Sequence, residues 1–160
     1  MEHLIPSMPV VEVLEGMRNV ALTSGGIAID ATPADIETAN TIVYTIQGQF
    51  YSKVAITAID LSASAIAGTI IPDNYKAAML LLLDAAGNPV MKISANVLIA
   101  DKITIPAFDL NTYTCVGAVM VANDSGSNFV VGTTSLATAN VTDTYINVFN
   151  ALPGEIPAWG

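Results

Sequence analysis

The run Ala77 to Leu83 is seven consecutive apolar residues, the longest uninterrupted apolar stretch in the chain. A membrane-spanning helix needs roughly 20, so the run belongs in a protein interior, and no membrane partner is expected. It is closed by Asp84-Ala85-Ala86-Gly87-Asn88 and followed by Pro89 to Ile93. Its shortness and the turn residues at its end predict a central strand, buried on both faces, that returns as a hairpin. Alanine, methionine and leucine also form helices, so a short buried helix is the competing reading.

The remaining pattern is mostly period two, which is the signature of strands. Ile42, Tyr44 and Ile46 alternate with Thr41, Val43, Thr45 and Gln47, and Gly48 interrupts. A second alternating run extends from Phe50 to Leu61. The two form either one strand bent at a glycine bulge or a tight pair. Tyr113 to Ala122 is apolar, Asn123 to Asn128 is a turn, and Phe129 to Val131 is read as the returning strand of a second hairpin. Further strands are expected over Asn96 to Ile105, closed by Pro106, and over Thr144 to Asn150. Thr32-Pro33 followed by Asp35 and Glu37 resembles a helix start, so one short helix or helical turn is expected near Pro33 to Ala39. Pro9 to Arg18 is either a strand or a weak helix.

These readings give an all-β chain: an antiparallel sandwich or jelly-roll-like domain with at most one or two short helices and extended termini. Residues 1–20 form an N-terminal arm and first element, 21–150 one β domain, and 151–160 a C-terminal arm. Prolines punctuate both ends at Pro6, Pro9, Pro153 and Pro157 and favour extended segments that cannot join sheet interiors. Trp159 is the only tryptophan, and indoles are favoured interface anchors. Ile5, Pro6, Pro9, Val10, Leu152, Pro153, Ile156, Pro157 and Trp159 are therefore the candidate partner-docking residues. Frayed ends are the alternative.

Charge narrows the function. Only 12% of residues are charged, 14 acidic against 5 basic, for a net charge of -9. An ordinary soluble domain has about 25%. Five basic residues cannot neutralise a phosphate track, so no nucleic-acid partner is expected. Mean hydropathy is +0.57, carried largely by alanine and other small residues that face water or a partner equally well. The sparse charge suits either an alanine- and threonine-rich monomer or a chain that buries surface against other copies or a larger assembly. The N-terminal MEHLIPSMPVVEVLEGM has no basic start and no apolar core of signal-peptide length, so no secretion signal is expected.

Catalytic and ligand-binding signals are sparse. His3 is the only histidine and Cys115 the only cysteine, so neither a triad nor a zinc cluster is expected. Cys115 reads as a small core or interface residue. Asp30, Asp35, Asp60, Asp73, Asp84, Asp101, Asp109, Asp124 and Asp143 fall mostly at turns or run ends, where aspartate caps backbone groups, and no pair stands out as a hydrolase dyad. The Asn123–Asn128 loop is oxygen-rich, but it has one carboxylate and no closing glutamate, so a plain turn is favoured over a calcium loop. Gly25-Gly26 is not a phosphate-binding fingerprint. No catalytic residue, metal or cofactor is expected.

Two stretches carry a resemblance. ANTIVYTIQGQFYSK at Ala39 to Lys53 and VGAVMVANDSGSNFVVGTTSL at Val116 to Leu136 are similar to segments of small virion structural proteins of tailed bacteriophages. The likeness covers roughly Ala39 to Phe149. It implies a capsid-decorating or cement protein, or a head-fibre base, assembled as a homotrimer on the phage head surface against the major capsid protein or other virion proteins. Such a protein is made in the host cytoplasm. The apolar run at Ala77 to Leu83 and the proline-rich ends depart from that pattern. A tail-fibre or glycan-binding receptor module presenting Tyr51, Tyr75 or Tyr113 is the alternative. A carboxylate-based hydrolase and a pilus or surface subunit are more distant ones.

Overall fold

The computed structural model describes residues 18–147. They are all-β, with no helix among the described residues. The strands are β1 (Ile27–Ile29), β2 (Ile36–Thr38), β3 (Ile42–Ile46), β4 (Gln49–Lys53), β5 (Ile70–Ile71), β6 (Tyr75–Leu83), β7 (Pro89–Ile93), β8 (Val97–Leu98), β9 (Thr114–Asn123), β10 (Phe129–Val130) and β11 (Val141–Ile146).

The apolar run is a central strand. β6 pairs antiparallel with β9 along its whole length, from Tyr75 opposite Asn123 to Leu83 opposite Thr114. β11 lies outside β9, while β7 and β8 occupy the other side of β6. Residues 76–83 are all buried, because this sheet is covered on both faces. Tyr75, Ala77, Met79, Leu81 and Leu83 point into the larger core. There they meet Ile27, Ile36, Ile42, Tyr44 and Phe129 from the ribbons β1–β2, β3–β4 and β5–β10. Leu80 and Leu82 face the other way, with Cys115 and Ala118, under Ile105, Phe108 and Tyr113. Each fully buried leucine contributes about 1.5–3 kcal/mol, so this one strand anchors two cores.

β6 and β7 form the expected hairpin. β3 and β4 form the tight pair, and their loop is Gln47 and Gly48 at φ 52 and 78. Two residues of positive φ match the twist of a hairpin, and glycine adopts that conformation without a Cβ clash.

Four sequence expectations are corrected. Phe129–Val130 does not return along β9; it pairs with β5, and β11 takes the place beside β9. Residues 124–128 are thus a corner where the chain passes between layers. Buried Asn123 holds this corner, its Nδ2 donating to the carbonyls of Ile71 and Ser127 at 2.9 and 2.8 Å. Residues 33–39 are not helical: they make a turn and then β2. Ile36 bridges Ile59 and pairs with Ile29, so sheet contacts override the local helix signal. The Asp35 carboxylate accepts from Leu61 N at 2.9 Å instead of capping a helix. The strand after Gly48 stops at Lys53; residues beyond it cross to β2, where Ile59 exchanges backbone bonds with Ile36, and Ile56 accepts from Thr38 N and donates its own N–H to the Thr38 hydroxyl. Of Asn96 to Ile105 only β8 is strand, and Ile103 and Ile105 are buried within an irregular cover segment.

Gly117 lies where β9 passes beneath β1. A Cβ there would press on Ile27 Cδ1 and come within 2.9 Å of the Ile146 carbonyl. Gly117→Ala is therefore expected to cost about 1–3 kcal/mol by overpacking. Urea denaturation of the two proteins measures it, and an unchanged midpoint would show that Ile27 repacks freely.

Candidate functional site

The β3–β4 hairpin lies at one end of the molecule and is fastened on three sides. Residues 20–22 run along β3, with Leu22 N donating to the Val43 carbonyl at 2.7 Å and Thr45 N to the Val20 carbonyl at 2.8 Å. At the tip, Gly48 N donates to the Arg18 carbonyl and Gln47 Nε2 to the Asn111 carbonyl. Beneath, the Tyr44 hydroxyl donates to the Asp84 carbonyl at 2.7 Å, and the Lys53 stem lies over Gly87. The Thr114 hydroxyl donates to the Thr45 carbonyl. The fourth side, the outer edge of β4, has no strand beside it among the described residues.

Strand alternation divides the hairpin's residues. Ile42, Tyr44 and Ile46 enter the core. Tyr51 follows them inward and stacks on Tyr44 with ring centres 5.7 Å apart. On the opposite face, Leu22, Val43, Phe50 and Val54 share one surface with Ser52. Phe50 is 74% exposed, Val54 69% and Leu22 43%. Isolated exposed apolar residues are ordinary; Phe50, Val54 and Leu22 are the exposed large apolar residues of this face. A second apolar group, Ile70, Leu98 and Ile99, lies near the start of β6, where Asn96 Nδ2 reaches the Ile70 carbonyl and Leu98 pairs with Tyr75. β6 separates the two ends, and nine residues of strand measure about 26 Å.

Beside the hairpin is a cleft of about 450 Å³ lined by Ile46, Gln47, Gln49, Tyr51, Asp84 and Asn111, among others. Its polar groups are largely engaged. Asp84 Oδ1 accepts from Ala86 N and Asn88 N, and Oδ2 from Asn88 Nδ2. Desolvation pushes the Asp84 carboxyl up, but these hydrogen bonds outweigh it and hold it below the ordinary aspartate value. Burial pushes the Tyr44 phenol up, reinforced by nearby Asp84 and Tyr51.

The other carboxylates do similar structural work. Asp60 accepts from the Ser62 hydroxyl and from Ser62 N and Ala63 N. Asp109 accepts from the Thr112 hydroxyl and Asn111 N. These bonds, led by the Ser62 and Thr112 hydroxyls respectively, lower both carboxyls. Asp73 accepts from Gly126 N in the corner loop. Among the described residues no three histidine, cysteine or acidic side chains gather as a metal site. Cys115 is buried in the second core, and desolvation raises its thiol to about 12.

The docking candidates Ile5, Pro6, Pro9, Val10, Leu152, Pro153, Ile156, Pro157 and Trp159 lie outside the described residues. Of the three tyrosines, Tyr51 lines the cleft, Tyr75 packs against the main core at the far end of β6, and Tyr113 packs against the second core. They do not combine into one platform. Sequence reasoning missed Phe50 and Val54. The signal was present: once Ile42, Tyr44 and Ile46 point inward, a two-residue turn sends Tyr51 inward and Phe50 outward.

Comparison with known proteins finds no matching family model, no matching curated protein and no matching solved structure.

The Asp84 loop gives a pH signature. A carboxyl lowered in the folded state stabilises above its unfolded value near 4, and that contribution is lost as pH falls through the folded value. Asp84→Asn is expected to cost under about 1 kcal/mol at pH 7, since solvent screens the group, and to flatten the acid limb of stability. Chemical denaturation between pH 2 and 7 measures this; an acid limb as steep as the wild type's would remove the ionised carboxylate from the account.

Proposed function

We propose that this protein is a structural subunit without catalytic activity. It assembles as a homotrimer and decorates or cements a bacteriophage capsid at the virion surface, through contacts with the major capsid protein or other virion proteins. The observation that carries this reading is the pair of exposed apolar groups at the two ends of β6, Phe50/Val54/Leu22 and Ile70/Leu98/Ile99. A closed ring of identical subunits needs two different surfaces on each copy that meet head to tail. Two separated patches on a sparsely charged body suit that geometry, and a cement protein needs nothing more reactive. The likeness of Ala39–Lys53 and Val116–Leu136 to phage virion proteins supports the same reading. The arms from Ile5 to Val11 and from Leu152 to Trp159 complete it as reaching segments.

A tail-fibre or receptor-binding module is the second reading. It is favoured by the cleft in which Tyr51 stands beside Gln49, a ring and an amide able to stack on and hydrogen-bond a sugar.

Light scattering on the purified chain is expected to give three chain masses at micromolar concentration, and empty heads are expected to pellet the protein. Phe50→Ser should weaken assembly while changing subunit stability by no more than about 0.5 kcal/mol, since the side chain is exposed. A stable monomer that ignores heads would overturn the reading. Binding to host cells without heads would favour the receptor module. Saturation of heads by a chain lacking Leu152 to Gly160 would remove the C-terminal arm from the docking surface.

A further inference from the structure

The sheet face that carries Leu80 and Leu82 is covered over part of its width. Leu98 of β8 pairs with Tyr75, Ile99 N donates to the Asn74 carbonyl at 3.2 Å, and Ile105 joins Leu80 and Leu82 in the second core. The chain between these points runs back along this face, and Ile103 within it is buried. Toward β9 and β11 the same face is open: Met120 and Ala122 are half-buried, and Thr142 and Thr144 are exposed. Strand alternation places Lys76 here too, two steps along the face from Leu80.

Lys76 is 3% exposed and is the one buried cation among the described residues. Its ammonium makes no hydrogen bond or ion pair among them, although the chain holds 14 acidic residues. Among the described residues the Tyr145 hydroxyl is the one enclosed polar side-chain atom without a partner, so the Lys76 ammonium lies at the lip of the open face, where solvent touches it. A charge held at the edge of a buried site without a counter-ion is costly, and an anion arriving from outside removes that cost. One cross-strand row holds a second donor for it. Lys76 is opposite Ala122, and Ala122 is opposite Thr142. The Thr142 hydroxyl is likewise without a hydrogen bond among the described residues. The two backbones are two strand spacings apart, about 9.5 Å, with only the Ala122 methyl between them on this face.

We propose that Lys76 and Thr142 form a binding site for a single carboxylate, seated over the Ala122 methyl. The site stands apart from the assembly reading above. Charge and shape select the ligand. One ammonium balances one negative charge, and a dianion such as phosphate would leave an excess on a body that already carries -9. A carboxylate has two oxygens, one to accept a charge-assisted bond from the Lys76 ammonium and one to accept from the Thr142 hydroxyl. A free organic acid and an acidic side chain of another protein both supply that group.

The test is a nuclear magnetic resonance titration of the full-length protein, isotopically labelled at the lysine Cε carbons, at constant ionic strength. The probes are sodium acetate, for a free carboxylate, and acetyl-Ala-Ala-Glu-Ala-Ala-amide, for a side chain. The Lys76 signal is expected to shift along a saturating curve with a dissociation constant in the millimolar range, while the signals of Lys53, Lys92 and Lys102 drift without saturating. Thr142→Val should raise that constant about two- to tenfold, the worth of one hydrogen bond. Acetate should raise the urea midpoint of the wild type and not that of Lys76→Met. Without acetate the Lys76→Met midpoint should be unchanged or higher, since an apolar group replaces an unmatched charge. Saturation by acetate alone assigns the site to free acids, and saturation by both probes extends it to an acidic side chain. Four results would overturn the proposal: a Lys76 signal that drifts like those of the other lysines, an acetate effect that survives Lys76→Met, a Thr142→Val protein with the wild-type constant, or a lower Lys76→Met midpoint without acetate, which would make the lysine part of the fold.

Discussion

The pairing of β6 with β9 is the constraint on which the rest of the structure depends. Nine positions of β6 are matched from Tyr75 opposite Asn123 to Leu83 opposite Thr114, with one irregularity between Leu81 and Leu82. From Ala77 to Leu83 the side chains of β6 are apolar on both faces and have no solvent side, so two covers are obligatory. The ribbons β1–β2, β3–β4 and β5–β10 supply one cover. The irregular segment carrying Ile103, Ile105 and Phe108 supplies the other. The break in register gives Val116 to the larger core between Cys115 and Ala118 of the smaller one, so one strand serves both.

This arrangement explains which features were legible in the sequence. The apolar run, its hairpin and the alternation of Ile42, Tyr44 and Ile46 are local patterns, and each appears where its period places it. Pairing of β10 with β5 is not local. It arises because β6 and β9 continue together around the corner held by Asn123, and no spacing in the sequence distinguishes that corner from a hairpin turn. The false helix near Pro33 has the same origin. Thr32-Pro33 and the early acids are real signals for a helix start, but the segment is too short to stand against the β1 and Ile59 partners that Ile36 finds on either side. The exposed face of β4 was recoverable from turn length and parity alone, whereas the second patch needed the tertiary pairing of β8 with β6.

The placement of charge sharpens the meaning of a chain with few charges. Asp60, Asp73, Asp84 and Asp109 spend their oxygens on backbone N–H groups of the turns that join strands. Among the described residues most acids lie in connections, and Glu37 and Asp143 are the acids within strands.

The edges of the sheets differ in a way that this economy makes informative. β7 begins with exposed Pro89 and carries exposed Lys92, and β11 presents exposed Thr142 and Thr144 around Asp143. Proline, lysine and inward-leaning acids are the means by which edges avoid uncontrolled pairing. β4 has none of them on its outward groups: Phe50 and Ser52 are exposed and uncharged, and the stem of Lys53 is folded over Gly87. Among the described residues, the β4 edge is thus left without the guards that β7 and β11 carry, beside Phe50 at 74% exposure.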